Sequence, residues 1–186
     1  VSEFGDRKLT DIDAEASLRS SVGHAQLQLQ KFGDAKASFS AATALKPDYL
    51  PARLGSARLM AAANRIDDAN KLIDAIVTAH PKAAEALALQ SDLRLLGGDR
   101  AGAKTSLEQA IAADESFLPA RFALIQILIN EKQFDAAALQ LDTARSLRKG
   151  DLRVHYFDAA IALDKNDLAK ARDMMQQVLK RAPAHV

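Results

Sequence analysis

Apolar residues recur along the chain in a helical pattern that repeats every 34 residues. Small alanines hold one phase of the repeat, namely Ala35, Ala69, Ala103, Ala137 and Ala171. Large apolar residues follow four positions later at Phe39, Ile73, Leu107, Leu141 and Met175, and a third apolar set follows at Ala42, Ile76, Ala110, Ala144 and Val178. The spacing i, i+4, i+7 is one face of a helix, so each repeat is predicted to contain an apolar helix with a small residue where backbones approach closely.

Prolines and turn residues divide each repeat into two helices. The prolines occupy two phases only, Pro47, Pro81 and Pro183 in one and Pro51 and Pro119 in the other. Proline is tolerated between helices and in a first turn, so both phases fit a helix-turn-helix unit. The turn inside each unit is marked by Gln30, Asn64, Gly98, Lys132 and Asn166, where a left-handed residue can end the first helix. Carboxylates predicted to cap the second helix are Asp34, Asp67, Asp135 and Asp167.

The period divides the chain into five units behind a short leading segment. We predict repeats at residues 16–49, 50–83, 84–117, 118–151 and 152–186. Residues 1–15 are polar, with Gly5 and Lys8 at positions that the repeat fills with apolar residues, so they are predicted to form a tail or a degenerate remnant of a preceding repeat. Because the sequence stops where a sixth unit would begin, we predict that the fifth is cut from a longer array and that uncovered ends allow self-association.

Paired helices with a 34-residue period, Ala at the twentieth position and Pro near the end resemble the tetratricopeptide repeat (TPR) family. The resemblance covers Ala16 to His185. It departs from the family at the fourth position, usually aromatic, which holds Arg19, Arg53, Leu87, Arg121 and His155. It implies an all-α fold, a right-handed superhelical solenoid of antiparallel helix pairs, that binds other proteins. In the general character of its sequence, rather than in a diagnostic motif, the chain also resembles repeat-rich lipoproteins associated with bacterial exopolysaccharide and exosortase (PEP-CTERM) systems.

The resemblance further implies a binding groove, because positions 2, 5, 9 and 12 of each family repeat face the concave surface. From these positions we predict a site composed of His24, Leu54, Arg58, Asp92, Phe122, Gln126, Arg153 and Tyr156. Aromatic anchors flanked by polar groups suit an extended or helical peptide. In the alternative interpretation, Phe122 and Tyr156 pack between neighbouring helices. For Arg19, Arg53 and Arg121 we expect stems laid over apolar neighbours and pairing with an acid on the adjacent helix.

Several classes of partner are disfavoured. The family's clamp for chaperone tails needs Lys, Asn and Arg at positions that here hold Ser20, His24, Gly55, Glu85 and Leu89, so this clamp is not expected. A net charge of +1, from 25 basic and 24 acidic residues, and the lack of a recurring basic stripe argue against nucleic acid, including RNA. No apolar run reaches the roughly 20 residues that a membrane span requires.

Catalytic chemistry is not indicated either. The chain has no cysteine, and His24, His80, His155 and His185 lie in different phases without metal-ligand spacing. We therefore predict no metal, no cofactor and no enzymatic activity. The predicted function is a scaffold that binds a protein, peptide or helix in the groove. The alternative is a structural spacer or oligomerisation module in a larger bacterial envelope-associated assembly. Both a periplasmic, envelope-anchored parent and a cytoplasmic location are compatible with the sequence.

Overall fold

A computed structural model describes residues 2–181, with side chains from Asp11 onward, so the predictions on Pro183, His185, Gly5 and Lys8 fall outside the described residues or side chains. Within this range the chain folds into α-helices without a β-strand, which confirms the all-α prediction. The helices are α1 (Ser2–Gln28), α2 (Phe32–Leu45), α3 (Leu50–Ala62), α4 (Ile66–Ala79), α5 (Ala84–Leu96), α6 (Arg100–Ala113), α7 (Leu118–Asn130), α8 (Phe134–Leu147), α9 (Leu152–Asp164) and α10 (Leu168–Arg181).

Helix boundaries follow the 34-residue period. The first helices α3, α5, α7 and α9 begin at the first residues of the second to fifth predicted units. The second helices α2, α4, α6, α8 and α10 also begin at equivalent positions of successive units. Pro51 and Pro119 lie in the first turns of α3 and α7, where proline costs no helical hydrogen bond. Helix α1 starts at Ser2, so the first helix extends back through the segment predicted to be a tail or remnant.

All five predicted turn residues are left-handed, which confirms that prediction. Their φ angles are 58° at Gln30, 59° at Asn64, 82° at Gly98, 58° at Lys132 and 59° at Asn166. The amide of the residue after each turn position then donates to a carbonyl of the first helix. One example is the hydrogen bond of 2.8 Å from the Arg65 amide to the Met60 carbonyl. Gly and Asn adopt this conformation readily, whereas Gln30 and Lys132 are held in it at a cost of about 1 kcal/mol each.

Glycine should therefore stabilise the protein at these two turns. We expect Gln30→Gly and Lys132→Gly each to raise the free energy of unfolding by roughly 0.5–1 kcal/mol in urea titrations followed by circular dichroism. The neighbouring residues Lys31 and Gln133 have φ angles of −81° and −86°, so Lys31→Gly and Gln133→Gly serve as controls that should lower it. Equal effects at the turn and control positions would refute this account.

The predicted caps need correction. Three of the carboxylates make no cap, since the N-cap residues of α2, α4 and α8 are Lys31, Arg65 and Gln133, without a side-chain cap hydrogen bond. These three are Asp34, Asp67 and Asp135, which lie in the first turns, where a carboxylate interacts favourably with the helix dipole. Asp167 does accept from the Lys170 amide at 3.0 Å. Asp99, at the same repeat phase but missed in the sequence, accepts from the Gly102 amide at 2.9 Å.

The helices form two compact units, residues 1–103 and 104–186. In the first unit the repeat alanines are fully buried, as are Phe39 and Ile73 beside them. In the second unit the same phases are buried through α8, as at Leu107 and Leu141. Along α10 only Ala171 is buried, while Met175 and Val178 are half-buried. The predicted spine is therefore confirmed for the first four repeats and is weaker in the fifth.

Phe39 occupies a space that two glycines leave open. Its helix α2 packs against α1 and α3, and its ring is 1% exposed between Gly23 and Gly55. A Cβ at Gly23 would lie 2.7 Å from the ring, and one at Gly55 would overlap it. The His24 ring meets Phe39 edge-on, with centroids 5.0 Å apart. Three helices thus approach around a single aromatic side chain.

The expected arginine pairings are only partly present. Arg19 pairs with Glu15 on its own helix, and the Arg53 guanidinium lies 3.4 Å from the Asp48 carboxylate in the preceding turn. Neither acid lies on an adjacent helix, so this part of the prediction is wrong. Side chains of residues four apart on a helix, or in a preceding turn, are reached without crossing to a neighbour.

Arg121 departs further, because its charge is buried without a contacting carboxylate. The residue is 5% exposed, and its Nη1 donates to Gln140 Oε1 at 2.5 Å across to α8. Its Nη2 donates to the Glu115 carbonyl at 2.9 Å, while its Nε has no hydrogen-bond partner. Burial lowers the pKa of Arg121, with the Glu115 charge opposing that shift. A neutral amide thus stands where an acid was expected.

Candidate functional site

In the first unit, the first helices bring together four groups that titrate or carry charge. His24 is half-buried at the end of α1, and Arg58 on α3 is exposed. Arg58 lies close enough to act electrostatically on both His24 and Asp92. Glu85, which lies at a groove-facing repeat position but is not among the eight predicted site residues, also acts on His24. The structure therefore assembles three of the predicted residues into one cluster and adds a fourth.

This cluster perturbs the titration of two of its members. Burial lowers the pKa of His24 below its ordinary 6.5 and Arg58 lowers it further, while a hydrogen bond to the Pro51 backbone and the Glu85 charge oppose the shift. The pKa of Asp92 is raised, because surrounding protein atoms desolvate its carboxyl group although the residue as a whole is exposed, and Arg58 opposes the rise. His24 is therefore neutral near pH 7, beside a fixed cation.

Removing that cation should move both pKa values in the same direction. We expect Arg58→Met to raise the pKa of His24, because a nearby cation disfavours imidazole protonation. It should also raise the pKa of Asp92, because the same cation favours the carboxylate. NMR pH titration of both side chains measures the shifts. Arg53→Met, which removes a cation outside the cluster, is the control and should leave both values unchanged.

The same substitution should alter the pH dependence of stability. Since His24 has a lowered pKa in the folded chain, the unfolded chain binds its proton first. The free energy of unfolding should therefore fall as the pH drops through 6.5 toward the folded-state pKa, and fall less in Arg58→Met. Thermal unfolding at several pH values tests this, and an undiminished fall would contradict it.

In the second unit, the two predicted aromatic residues occupy different environments. Phe122 is 6% exposed, because Phe157 stacks on it at 5.7 Å and the Arg153 guanidinium lies 4.1 Å above its ring. Tyr156 is 51% exposed and meets Phe157 edge-on at 5.3 Å. Phe122 thus packs between α7 and α9, as in the alternative interpretation, whereas half of Tyr156 remains accessible.

Arg153 is held in place by the residue that caps its helix. Asp151 accepts from the Arg153 amide at 3.0 Å and from Arg153 Nη2 at 2.7 Å. These hydrogen bonds hold the pKa of Asp151 below its ordinary value. Gln126 is exposed on α7 and donates to Asn130 at 3.0 Å. Arg153 and Tyr156 on α9 therefore give the second unit an exposed surface of predicted residues, and Gln126 is exposed on the contacting helix α7.

Leu54 and Phe122 do not offer the accessible apolar contacts that a groove site requires. Leu54 is 1% exposed and packs in the core of the first unit. The repeat position of a residue sets the direction in which its side chain leaves the helix. A large apolar side chain at the edge of the groove-facing surface nevertheless gains more free energy by packing into the core. The six remaining predicted residues are half-buried or exposed.

Metal binding and membrane insertion find no support in the part of the chain that the structure describes. Among these residues, no group of three or more His, Cys, Asp or Glu side chains could hold a metal ion. Over the same range, no helix combines the length and apolar character needed to cross a membrane.

The paired helices and their exposed first-helix residues define a helical-repeat scaffold of the kind that binds other proteins. More specifically, the chain belongs to the tetratricopeptide repeat family, whose model matches residues 26–93 and 95–161. No match was found among curated proteins.

Solved structures with the same fold cover almost the whole chain. TTC0263, a thermophilic TPR protein of Thermus thermophilus, has a TM-score of 0.74 at 16% identity, covering 91% of this chain and 93% of that one. MamA from Desulfovibrio magneticus RS-1 has a TM-score of 0.68 at 15% identity, covering 92% and 97%. YrrB, described as a TPR protein with an unusual peptide-binding site, has a TM-score of 0.62 at 17% identity, covering 97% and 93%. Identities this low show the fold alone.

Proposed function

We propose that this protein is a non-catalytic scaffold whose first helices bind a peptide or helix of a partner protein on their groove-facing side. The observation that carries the proposal is Tyr156, which is 51% exposed on helix α9, the helix that also carries Arg153. Tyrosine and arginine are enriched among the residues that dominate binding energy at interfaces. An exposed aromatic ring supported by a buried one is a suitable anchor for an apolar side chain of the partner.

Preorganisation strengthens this assignment. Arg153 is fixed by Asp151 on one side and by the Phe122 ring on the other, so little side-chain freedom remains to be lost on binding. The buried Phe122 contributes by supporting Arg153 rather than by touching the ligand. In the first unit, Arg58 and Asp92 present opposite charges beside a neutral His24, which suits recognition of a polar segment. The peptide-binding site described for YrrB lends support by analogy of fold.

Selection of random short peptides displayed on phage tests the proposal. A selected peptide, labelled with a fluorophore, is titrated against the protein and its variants by anisotropy. We expect Tyr156→Ser to weaken binding by about tenfold or more. Leu139→Ser is the matched control, because Leu139 is 66% exposed on the second helix α8 of the same unit and should not affect affinity.

Three outcomes would argue against the proposal. These are a failure to select any peptide, unchanged affinity in Tyr156→Ser, and equal losses in Tyr156→Ser and Leu139→Ser. Circular dichroism of both variants separates a loss of contact from a loss of fold.

A second candidate function, self-association, is favoured by a different observation. A groove of about 500 Å³ between α1 and α2 is flanked by Leu18 and Val22, which are 64% and 42% exposed. On α10, Leu168 and Leu179 are 63% and 41% exposed. Sedimentation velocity over a range of concentrations tests this function. Association that is lost in Leu18→Gln supports it, and a monomer at every concentration refutes it.

A further inference from the structure

A pocket of about 330 Å³ opens between α2 and α3 in the first unit, away from the residues proposed to bind a peptide. Its walls include Phe32, Leu59 and Met60, and its rim carries Lys36 and Arg65. Phe32 is 39% exposed here although it begins an otherwise well-packed helix. We call this cavity the α2–α3 pocket. It combines an apolar interior with a cationic edge.

At the next helix junction of the same unit, the equivalent positions carry a hydrogen-bonded pair. Gln90 Nε2 on α5 donates to Asp74 Oδ1 on α4 at 2.8 Å. One repeat earlier, these two positions are occupied by Ser56 and Ser40. The serine side chains are too short to reach each other across the junction, and Ser56 donates instead to the Ala52 carbonyl at 3.0 Å. Both serines line the α2–α3 pocket, at positions where the next junction carries a longer, hydrogen-bonded pair.

At the junction between α8 and α9 in the second unit, the equivalent positions are bridged by a third side chain. There Asp142 and Asp158 occupy the positions of Ser40 and Ser56, and Arg145 bonds to both, with 2.8 Å from its Nη2 to Asp158. Long polar side chains thus fill this place in both junctions, using different chemistry each time. Of these three junctions within the described residues, α2–α3 is the one that holds two short serine side chains at these positions.

Lys36 also lacks the acceptor that its repeat equivalent possesses. Lys104, at the same phase in the third repeat, places its Nζ 3.4 Å from Glu131 Oε2 and 3.1 Å from Gln133 Oε1. The positions that match these acceptors in the first junction hold Ala63 and Arg65. Arg65 in turn is engaged by Asp68 at 2.6 Å. Among the described residues, Lys36 is therefore the rim cation without an ion pair.

We propose that the α2–α3 pocket binds a segment of a partner protein in which a large apolar side chain stands next to a carboxylate. The apolar side chain occupies the space between Phe32, Leu59 and Met60, and the carboxylate pairs with Lys36 as Glu131 pairs with Lys104. The N-terminus of α2, which has no side-chain cap, adds a positive end at the same edge. This site is separate from the Tyr156 surface and stands or falls independently of it.

Three capped tripeptides test the chemistry: acetyl-Asp-Phe-Asp-amide, acetyl-Asp-Ala-Asp-amide and acetyl-Lys-Phe-Lys-amide. Each is titrated into the protein labelled with ¹⁵N, up to a peptide concentration of about 5 mM, because ligands this small bind weakly. We expect only the first to shift the amide signals of Phe32, Gly33 and Lys36 in a saturable way. Equal shifts with the alanine or lysine peptide, or none with the first, would overturn the proposal.

Two variants introduce side chains that this protein carries at the equivalent positions of other repeats. The double variant Ser40→Asp with Ser56→Gln rebuilds the Gln90–Asp74 bridge and should fill the pocket. Ala63→Glu places a carboxylate where Glu131 serves Lys104 and should compete for Lys36. Each should weaken binding of the first peptide by about tenfold or more without loss of fold. Unchanged affinity in Ala63→Glu, whose site is an exposed turn, would overturn the role of Lys36 even if the double variant misfolds.

Discussion

Gly55→Ala should lower the free energy of unfolding by about 2–3 kcal/mol, although alanine is the better helix former. The Phe39 ring fills the space that a Cβ at position 55 needs, and that ring is 1% exposed, so any shift must displace other buried groups. Overpacking of this kind typically costs 1–3 kcal/mol, of which the helix propensity of alanine recovers about 1 or less. Urea titration followed by circular dichroism measures the loss.

A double variant with a smaller residue at position 39 tests whether steric overlap causes this loss of stability. Phe39→Leu removes the part of the ring that overlaps a new Cβ, and alone it should cost about 1–2 kcal/mol. Combined with Gly55→Ala, it should cost clearly less than the sum of the two single changes, because the overlap is absent in the double variant. Gly33→Ala is the control, since nothing lies within 4 Å of a Cβ there. Additive losses, or an equal loss in Gly33→Ala, would contradict the packing account.

Phe122→Ala should destabilise the second unit by about 3–5 kcal/mol, whereas Tyr156→Ala should cost less than about 1 kcal/mol. Phe122 is 6% exposed, and its removal takes a stacking partner from Phe157 and a ring from beneath Arg153. Tyr156 loses only an edge contact with Phe157. Thermal and urea unfolding of both variants measure the difference.

This contrast has a practical consequence for mapping the binding surface. If both aromatic residues faced the groove, truncating either would weaken binding without unfolding the protein, but the burial of Phe122 leaves that expectation for Tyr156 alone. Phe122→Leu, which keeps most of the buried volume, is the conservative variant and should recover much of the stability lost in Phe122→Ala. Equal stability losses in Tyr156→Ala and Phe122→Ala would refute the assignment of Phe122 to the core.

The architecture was accessible from the sequence because it depends on period rather than on residue identity. Gln30 and Lys132 are poor choices for a left-handed turn, yet both turns were placed correctly from the phase they share with Gly98. The buried alanine spine was likewise readable, since the same small residue recurs where helices approach. A 34-residue period supplies five chances to read each position.

Details that depend on one or two positions were not accessible. A capping carboxylate must precede the first helical residue to reach the amide of the third, so a small error in the helix start assigned the cap to Asp34 and missed Asp99. Whether Phe122 turns inward depends on Phe157, which is 35 positions away and belongs to the next repeat. Local periodicity carries no information about such a contact.

The junction side chains have a consequence for any attempt to recombine these repeats. Every 34-residue repeat has alanine at the same phase, as interchangeable modules would. The contacts that cross from one helix pair to the next are not interchangeable, because Gln90 needs Asp74 and Arg145 needs Asp158. Shuffling the 34-residue repeats would keep the buried alanine positions. It would leave hydrogen-bond donors and charged side chains at the junctions without their partners. The order of the repeats is therefore encoded at their borders, and grafts should be cut inside a helix pair.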